Sequence, residues 1–427
     1  MNHIADYIFN FINSAEIIAV RLFVKIFVAA LIMLFLMYIN FFYRMLKWVK
    51  TFNFHKEKYK KILYFCFGLM IYLISPLFLR QIFKSSGQKM PVLFYYLMYL
   101  PSIYFIVMVL GYNFFFIFYS GIKYFYKSLI FLIEKIPKTT AFANKLKFSQ
   151  SRRDFFKKLT PAVPGVLFGY TLFGNLRYTY AREISRHVIK TNNISREFDG
   201  FTFVHLTDVH AGIHMKRKAL DELVENINSI DKHIIFLTGD YVDFNHSYTK
   251  EFVQAFNKLK HPEHGVFACM GNHEIYNGYE TMAKTLTNCG FHVLRNSHKL
   301  IKKSGKNLVI CGVEDLSTGK CNVADALSGT PHGYKILLCH QPNLFNEFSK
   351  KYDFDLMLSG HTHGGQINII DIKGLRIAPS YLITDYLKGF YKENGKLLYV
   401  NRGYGVTGLP IRINADPEIA VMKFKKV

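Results

Sequence analysis

The sequence contains no Cys-x-x-Cys pair, and its six cysteines (Cys66, Cys269, Cys289, Cys311, Cys321, Cys339) are scattered through 427 residues. That pattern excludes a dense disulfide framework and a zinc ribbon built on paired thiolates. Several of them stand in apolar runs, such as the one ending at Cys269 and the one ending at Cys339, where cysteine serves as a small buried hydrophobe. Acid is also scarce, 30 Asp and Glu against 54 Lys and Arg, and it is scarcest at the front: up to Lys158, 5 acidic residues face 22 basic ones. No recognisable RNA- or DNA-binding module accompanies that charge, so nucleic acid is not the expected partner. No internal repeat or low-complexity segment is evident in the second half.

What the front half has instead is long runs without any charge, at 26–43, 62–79 and 90–122. Runs of this length are close to or beyond the minimum for crossing a hydrocarbon core as a helix. A helical region over 1–150 is therefore expected, with spans at about 22–43, 62–79 and 92–119 and membrane lipids as partners. Its cations flank the runs: seven Lys and Arg lie in 44–61 and ten in 123–158, against none in 1–16 and three in 80–89. By the positive-inside rule the basic segments face the cytoplasm and the N-terminus lies outside. Over 151–195 follows Ser151-Arg152-Arg153-Asp154-Phe155-Phe156-Lys157, which resembles a twin-arginine export signal placed internally, and then an uncharged stretch, 159–176. If that stretch crosses the bilayer, the remainder lies on the outer face; if it lies on the surface as a hairpin, the remainder is cytoplasmic.

From 196 to 427 the pattern changes to short apolar runs alternating with amphipathic ones, the mark of a layered α/β unit. Polar residues stand at the end of each strand-like run. Thr207-Asp208-Val209-His210 follows the first, Gly239-Asp240-Tyr241-Val242-Asp243 the second, and Gly271-Asn272-His273-Glu274 the third; His340 and Gly360-His361-Thr362-His363 follow two more. Loops at one edge of a sheet converge, so these side chains can meet in space despite their separation in sequence. Mixed carboxylate, imidazole and amide donors suit Mn, Fe, Zn or Co, and seven of them are too many for one catalytic ion. Two divalent ions about 3.5–4 Å apart, sharing a carboxylate and a hydroxide, would make a nucleophile for in-line attack on phosphorus.

These five blocks, in this order, resemble the signature of the calcineurin-like metallophosphoesterases. The residues Gly364-Gly365-Gln366-Ile367 and Asn401-Arg402-Gly403-Tyr404-Gly405 before Pro410-Ile411-Arg412 are similar to the membrane-associated bacterial phosphodiesterase branch. The resemblance implies a four-layer α/β/β/α sandwich, which the uncharged runs place after an all-α transmembrane bundle. It implies that Asp208, His210 and His363 hold one metal and Asn272, His340 and His361 the other. Asp240 would bridge them, and His273 would act on the leaving oxygen or the phosphoryl charge. Asp243 and Glu274 fit supporting positions that orient those groups.

The expected function is hydrolysis of a phosphomonoester or phosphodiester, small or lipid-linked, by a protein integral to a bacterial inner membrane. An alternative enzyme reading is a UDP-diacylglucosamine-type pyrophosphatase of lipid A synthesis, which requires a cytoplasmic catalytic region. A third reading, from another class, is a membrane sensor or scaffold with a structural metal site, although such sites are normally closed and mononuclear. Arg402 and Arg412 are candidates for substrate phosphate or for ion pairing, and Tyr276, Gly278 and Tyr279 for a lid or an ordinary turn. Oligomeric state is not legible.

Overall fold

The computed structural model describes residues 36–45, 94–134 and 162–427, together with scattered single positions between 47 and 72, and omits 369, 373, 374 and 383. Two compact units divide the chain, one of Met1–Leu79 with Val92–Thr171 and the other of Arg80–Pro91 with Leu172–Val427.

In the first unit, α1 (Leu100–Glu134) is entered through a π turn at Tyr95–Tyr99. Pro101 sits in its first turn, where the missing N–H is not needed. The uncharged run ends at Ile122, yet the helix carries on through Lys123 and Lys127 to Glu134. Charge ends a membrane span, but lysine is a good helix former and does not end a helix. The helix over 36–45 packs on α1, with Phe41 edge-on to Phe105 and Tyr112, and Asn40 Nδ2 donates to Asn113 Oδ1 at 2.6 Å. Among the described residues one helix, Leu97–Leu129, is long and apolar enough to cross a membrane. The expected spans at 22–43 and 62–79 lie largely outside the described residues, and the twin-arginine-like segment lies wholly outside them.

The second unit takes in the end of α2 (Ala162–Tyr180) and then β1 (Glu183–Thr191), β2 (Thr202–Leu206), α3 (Arg217–Asn228), β3 (Ile234–Thr238), α4 (Thr249–Phe256), β4 (Val266–Cys269), α5 (His273–Tyr276), α6 (Tyr279–Asn288), β5 (His292–Val293), β6 (Ser297–Lys303), β7 (Lys306–Gly312), α7 (Val323–Leu327), β8 (Tyr334–Leu338), α8 (Phe345–Lys351), β9 (Leu356–Ser359), the ribbon β10 (Ile370–Ile372) and β11 (Leu375–Ile377), β12 (Gly389–Glu393), β13 (Lys396–Val400) and β14 (Glu418–Lys426). One six-stranded sheet runs β1-β14-β2-β3-β4-β5 and the other β12-β13-β9-β8-β7-β6. Strands β2 to β5 are parallel to one another, as are β7, β8, β9 and β13.

The strand pleat explains the layering. Phe203, Phe236 and Phe267 of the first sheet meet Ile310, Ile336, Leu358 and Tyr399 of the second in a shared core. The alternate residues Val204, Leu206, Ile235 and Leu237 lie under α3, α4 and α6. On the far side Val309, Leu337, Met357 and Leu398 lie under α7 and α8. Strands covered on both faces read as continuous apolar runs, as here, and the order is α/β/β/α. Truncating one of these phenylalanines, Phe236→Ala, would cost about 3–5 kcal/mol through lost burial and a cavity. The C-terminal ends of β2, β3, β4, β8 and β9 deliver the next residues of each loop to one shared edge.

Candidate metal centre

Asp208 and His210 leave β2, and Asp240 leaves β3. The two loops are zipped together, Asp208 N donating to Gly239 O and His210 N to Asp240 O, each at 3.0 Å. Asn272 and His273 follow β4, with His273 opening α5; His340 follows β8, and His361 and His363 follow β9. Asp208, His210, Asp240, His361 and His363 all have φ between 46° and 69°. Side-chain-bearing residues adopt that left-handed region rarely, and clusters of them mark sites whose surroundings enforce it. Close approach of the loops is secured by Gly360 and Gly271, where a Cβ would collide with the carboxylates of Asp208 and Asp240.

The side chains converge in two groups. His210 Nε2 and His363 Nε2 are 3.0 Å apart, and they lie 3.8 and 3.3 Å from Asp208 Oδ1. In the other group His340 Nε2 is 3.2 Å from both Asp240 Oδ2 and Asn272 Oδ1, and the His361 ring stands 5.1 Å from that of His340. Asp240 Oδ2 also lies 3.6 Å from His210 Nε2, so this carboxylate stands between the groups. Asp208, His210 and His363 form one set able to hold an ion, Asp240, His340 and His361 another, and His210, Asp240 and His273 a third that overlaps both.

The donor set fits metal ions. Asp208, Asp240 and Asp243 are buried carboxylates, which are tolerated only beside compensating charge. His210 Nε2 and His363 Nε2 converge on one point, and His210 Nδ1, His273 Nδ1 and Asp243 Oδ1 are buried without a hydrogen-bond partner. In this arrangement burial disfavours charge on His210, but Asp208, Asp243 and Asp240 outweigh it and hold its pKa up at about 10. His340 is likewise raised against burial, by Asp240. For His363 burial wins and the pKa falls well below the ordinary value.

A frame of hydrogen bonds holds these groups. The Glu274 carboxylate accepts from the N–H of Gly271 at 2.7 Å and from those of Asp240 and Tyr241 at 2.9 Å, tying the β3 and β4 loops together. Burial, reinforced by Asp240, lifts its pKa to about 7 despite those donors. His273 N donates to Asp240 Oδ1 at 2.9 Å and His361 N to Asp208 Oδ2 at 2.9 Å. His340 Nδ1 lies 2.6 Å from Thr238 O, which aims Nε2 into the site.

His273 stands beside both groups, Nδ1 3.6 Å from Asp243 Oδ1 and Nε2 4.0 Å from Asp240 Oδ2. Burial pushes its pKa down to about 4. Its ring is walled by Phe244 at 4.4 Å and by Tyr276 at 5.7 Å, and Tyr276 is 61% exposed, so the wall opens to solvent. Tyr279 turns away, its hydroxyl accepting from Asp315 N and its ring lying under Arg295. The segment is thus a wall at Tyr276 and an ordinary turn beyond it, with Gly278 at φ 84°.

Neither arginine offered for substrate phosphate reaches the mouth. Arg402 pairs with Glu418 at 3.1 Å and Glu183 at 2.8 Å. Arg412 is fully buried; it donates to the carbonyls of Gly405, Arg402 and Ala415, and its Nη2 meets His363 Nδ1 at 3.1 Å. Sequence spacing carries no sign of that contact, nor of Phe244 against His273, because both arise only when distant loops pack.

Residues 201–365 match the calcineurin-like phosphoesterase family. The metallophosphoesterase YkuE of Bacillus subtilis is 34% identical over 284 residues, 64% of this chain and 98% of that protein. A metallophosphoesterase of Helicobacter pylori is 31% identical over 287 residues, 65% of this chain and 74% of that protein. A transmembrane protein with a metallophosphoesterase domain from Danio rerio is 27% identical over 252 residues, 56% of each chain.

Proposed function

This chain belongs to the calcineurin-like metallophosphoesterase family and is a metal-dependent phosphoester hydrolase, and we propose that it works at a membrane on a phosphomonoester or phosphodiester, lipid-linked in preference to soluble. Enzymes of this family use a dinuclear divalent metal centre, and the paired ligand sets fit one. Asp208, His210 and His363 would hold one ion, Asn272, His340 and His361 the other, with Asp240 shared. Mn, Fe, Zn or Co suits these mixed nitrogen and oxygen donors. Such ions, when bound, supply Lewis-acid polarisation of the phosphoryl oxygens and a water acidic enough to attack near neutral pH.

The chain's own groups do the rest. His273 is neutral before substrate arrives, since burial holds its pKa low. A phosphoryl anion in the site would raise it, so the ring would take up a proton from solvent as substrate binds and pass it to the leaving oxygen, with the Asp243 carboxylate 3.6 Å away favouring the charged ring. Phe244 and Tyr276 would shelter the leaving group from water. The observation that carries this reading is the position of Asp240 between two ligand groups drawn from both sheets.

Membrane anchoring is supported by the apolar length of Leu97–Leu129 and by the zebrafish relative. We place the catalytic unit on the outer face of a bacterial inner membrane, after the twin-arginine-like segment. A reporter fused at Val427 tests the side, and activity of that reporter confined to the cytoplasm overturns it. The chemistry is tested with the purified full chain and an aryl phosphodiester. Hydrolysis should vanish on chelation, return with a transition metal and fall at least about 100-fold in Asp240→Asn. Undiminished turnover by thoroughly stripped protein overturns the reading.

A further inference from the structure

Helix α2 has its polarity the wrong way round for a helix of a water-soluble protein. From Leu172 onward, the side that packs against the rest of the catalytic unit is made by Gly174, Asn175, Arg177 and Tyr178, small or polar-tipped residues. Gly174 lies so close to Ile411 and Ile413 that a Cβ would collide with both. Asn175 Nδ2 donates to Pro410 O at 2.7 Å, Arg412 N donates to Gly174 O at 3.1 Å, and Arg177 forms a two-armed pair with Asp416. Tyr178, 8% exposed, completes this side and donates to His214 O. The opposite side is apolar: Leu172, Phe173 and Leu176 are 40%, 50% and 47% exposed, with Arg177 at the edge of this face, 5.8 Å from the Phe173 ring. Positions 172, 173 and 176 are neighbours at helical spacing, so they form one stripe.

In water the apolar stripe of an amphipathic helix turns inward. Here hydrogen-bonding groups turn inward and hydrocarbon turns out, the arrangement of a helix whose outer solvent is lipid. Charge agrees with that solvent. Arg152, Arg153, Lys157 and Lys158 precede the helix in sequence, and the chain leaves it onto β1, whose Ile184 and Val188 are exposed in alternation with Arg186 and Lys190. Apolar side chains bracketed by cations are complementary to acyl chains edged by anionic headgroups.

We propose that the outer stripe of α2 is a bilayer-contact face that seats the catalytic unit directly on an anionic lipid surface. This deepens the membrane reading of the preceding section and rests on it. The packed side of the same helix bonds to the 410–416 segment, which carries Arg412 behind His363, so the metal centre is built on the element that touches lipid. A substrate presented from the bilayer would need no soluble carrier to reach it.

The test places a reporter on the stripe in the full chain. Trp48, the sole tryptophan, becomes Phe, and Phe173→Trp supplies the probe, with Leu176→Trp as a second should the first not fold. Protein is reconstituted in phosphatidylcholine and phosphatidylglycerol vesicles with or without brominated acyl chains. Lipid contact predicts a blue-shifted emission that loses most of its intensity to the brominated chains and little to aqueous iodide. Quenching by iodide alone means a water-facing stripe, and resistance to both means a stripe covered by protein, whether a second copy or the chain's own N-terminal helices. Either result overturns the proposal. Flotation of the same vesicles reports anchoring separately, so protein that floats while its probe escapes the brominated lipid leaves the membrane reading standing and removes this one.

Discussion

Arg412 points its guanidinium at the back of His363, Nη2 to Nδ1 at 3.1 Å, in a place closed to solvent. Burial lowers the arginine pKa only to about 10, so it is cationic at neutral pH. The contact turns the other nitrogen, Nε2, toward Asp208 Oδ1 at 3.3 Å. Arginine thereby fixes the tilt of a ring expected to hold metal.

Removing that support should loosen the ion. Arg412→Met is expected to bind the first metal equivalent about 10–100-fold more weakly, the usual effect of losing a group that orients a ligand. Arg412→Lys should recover part of the loss, since the ammonium keeps the charge but not the fork. Metal content after equilibrium dialysis, measured alongside the melting temperature, separates this from simple unfolding. Unchanged affinity in a folded Arg412→Met protein would refute it.

Metal loading should expel protons. Beside these carboxylates His210 is held at about 10 and His340 well above its ordinary value, so both rings are cationic at pH 7 and each must give up a proton to offer a lone pair. About two protons per chain should leave on loading near neutral pH, with affinity falling as pH drops. Calorimetric titration in buffers of unequal ionisation enthalpy measures the number, and a heat independent of buffer contradicts it.

Tyr276 flanks His273 at the open end of the aromatic wall. Tyr276→Ala should raise KM for an aryl or lipid-linked leaving group up to about 10-fold, the worth of one aromatic contact, and leave kcat nearly unchanged. A fall confined to kcat would mean that the ring serves the chemistry and not binding.

His205, behind the site, is enclosed with Nε2 2.8 Å from Thr238 Oγ1, and burial pushes its pKa down to about 3. Above about pH 6.5 the folded and unfolded rings are both neutral, so the ring adds no pH dependence. Between there and pH 3 the unfolded chain gains a proton that the folded chain refuses, removing about 1.4 kcal/mol of stability per pH unit. Denaturant melts of wild type and His205→Gln should differ by a constant above pH 6.5 and swing toward the variant below it. A difference flat throughout the acid range refutes the assignment.

Much of the catalytic unit was legible because its strands are buried on both faces and read as apolar runs, each followed by its polar block. Thr207 to His210 and Gly271 to Glu274 announced themselves by position alone. The edges were harder. Strand β1 pairs in parallel with β14, but Ser185, Arg186 and His187 give it no apolar rhythm. Strand β6 carries Lys299, Lys302 and Lys303 and reads as a loop. A boundary drawn at 196 leaves out the end of α2, which joins through Gly174, Asn175 and Arg177, residues that no hydrophobic pattern would select. Arg402 and Arg412 were visible as residues but not as partners, because what each meets lies elsewhere in the chain.

Five of the expected ligand residues occupy left-handed backbone geometry, each costing about 1–3 kcal/mol that the two sheets must offset. Strain of that kind is released when the packing around it loosens, so a cavity cut beneath these loops should disorder the ligand set before it unfolds either sheet.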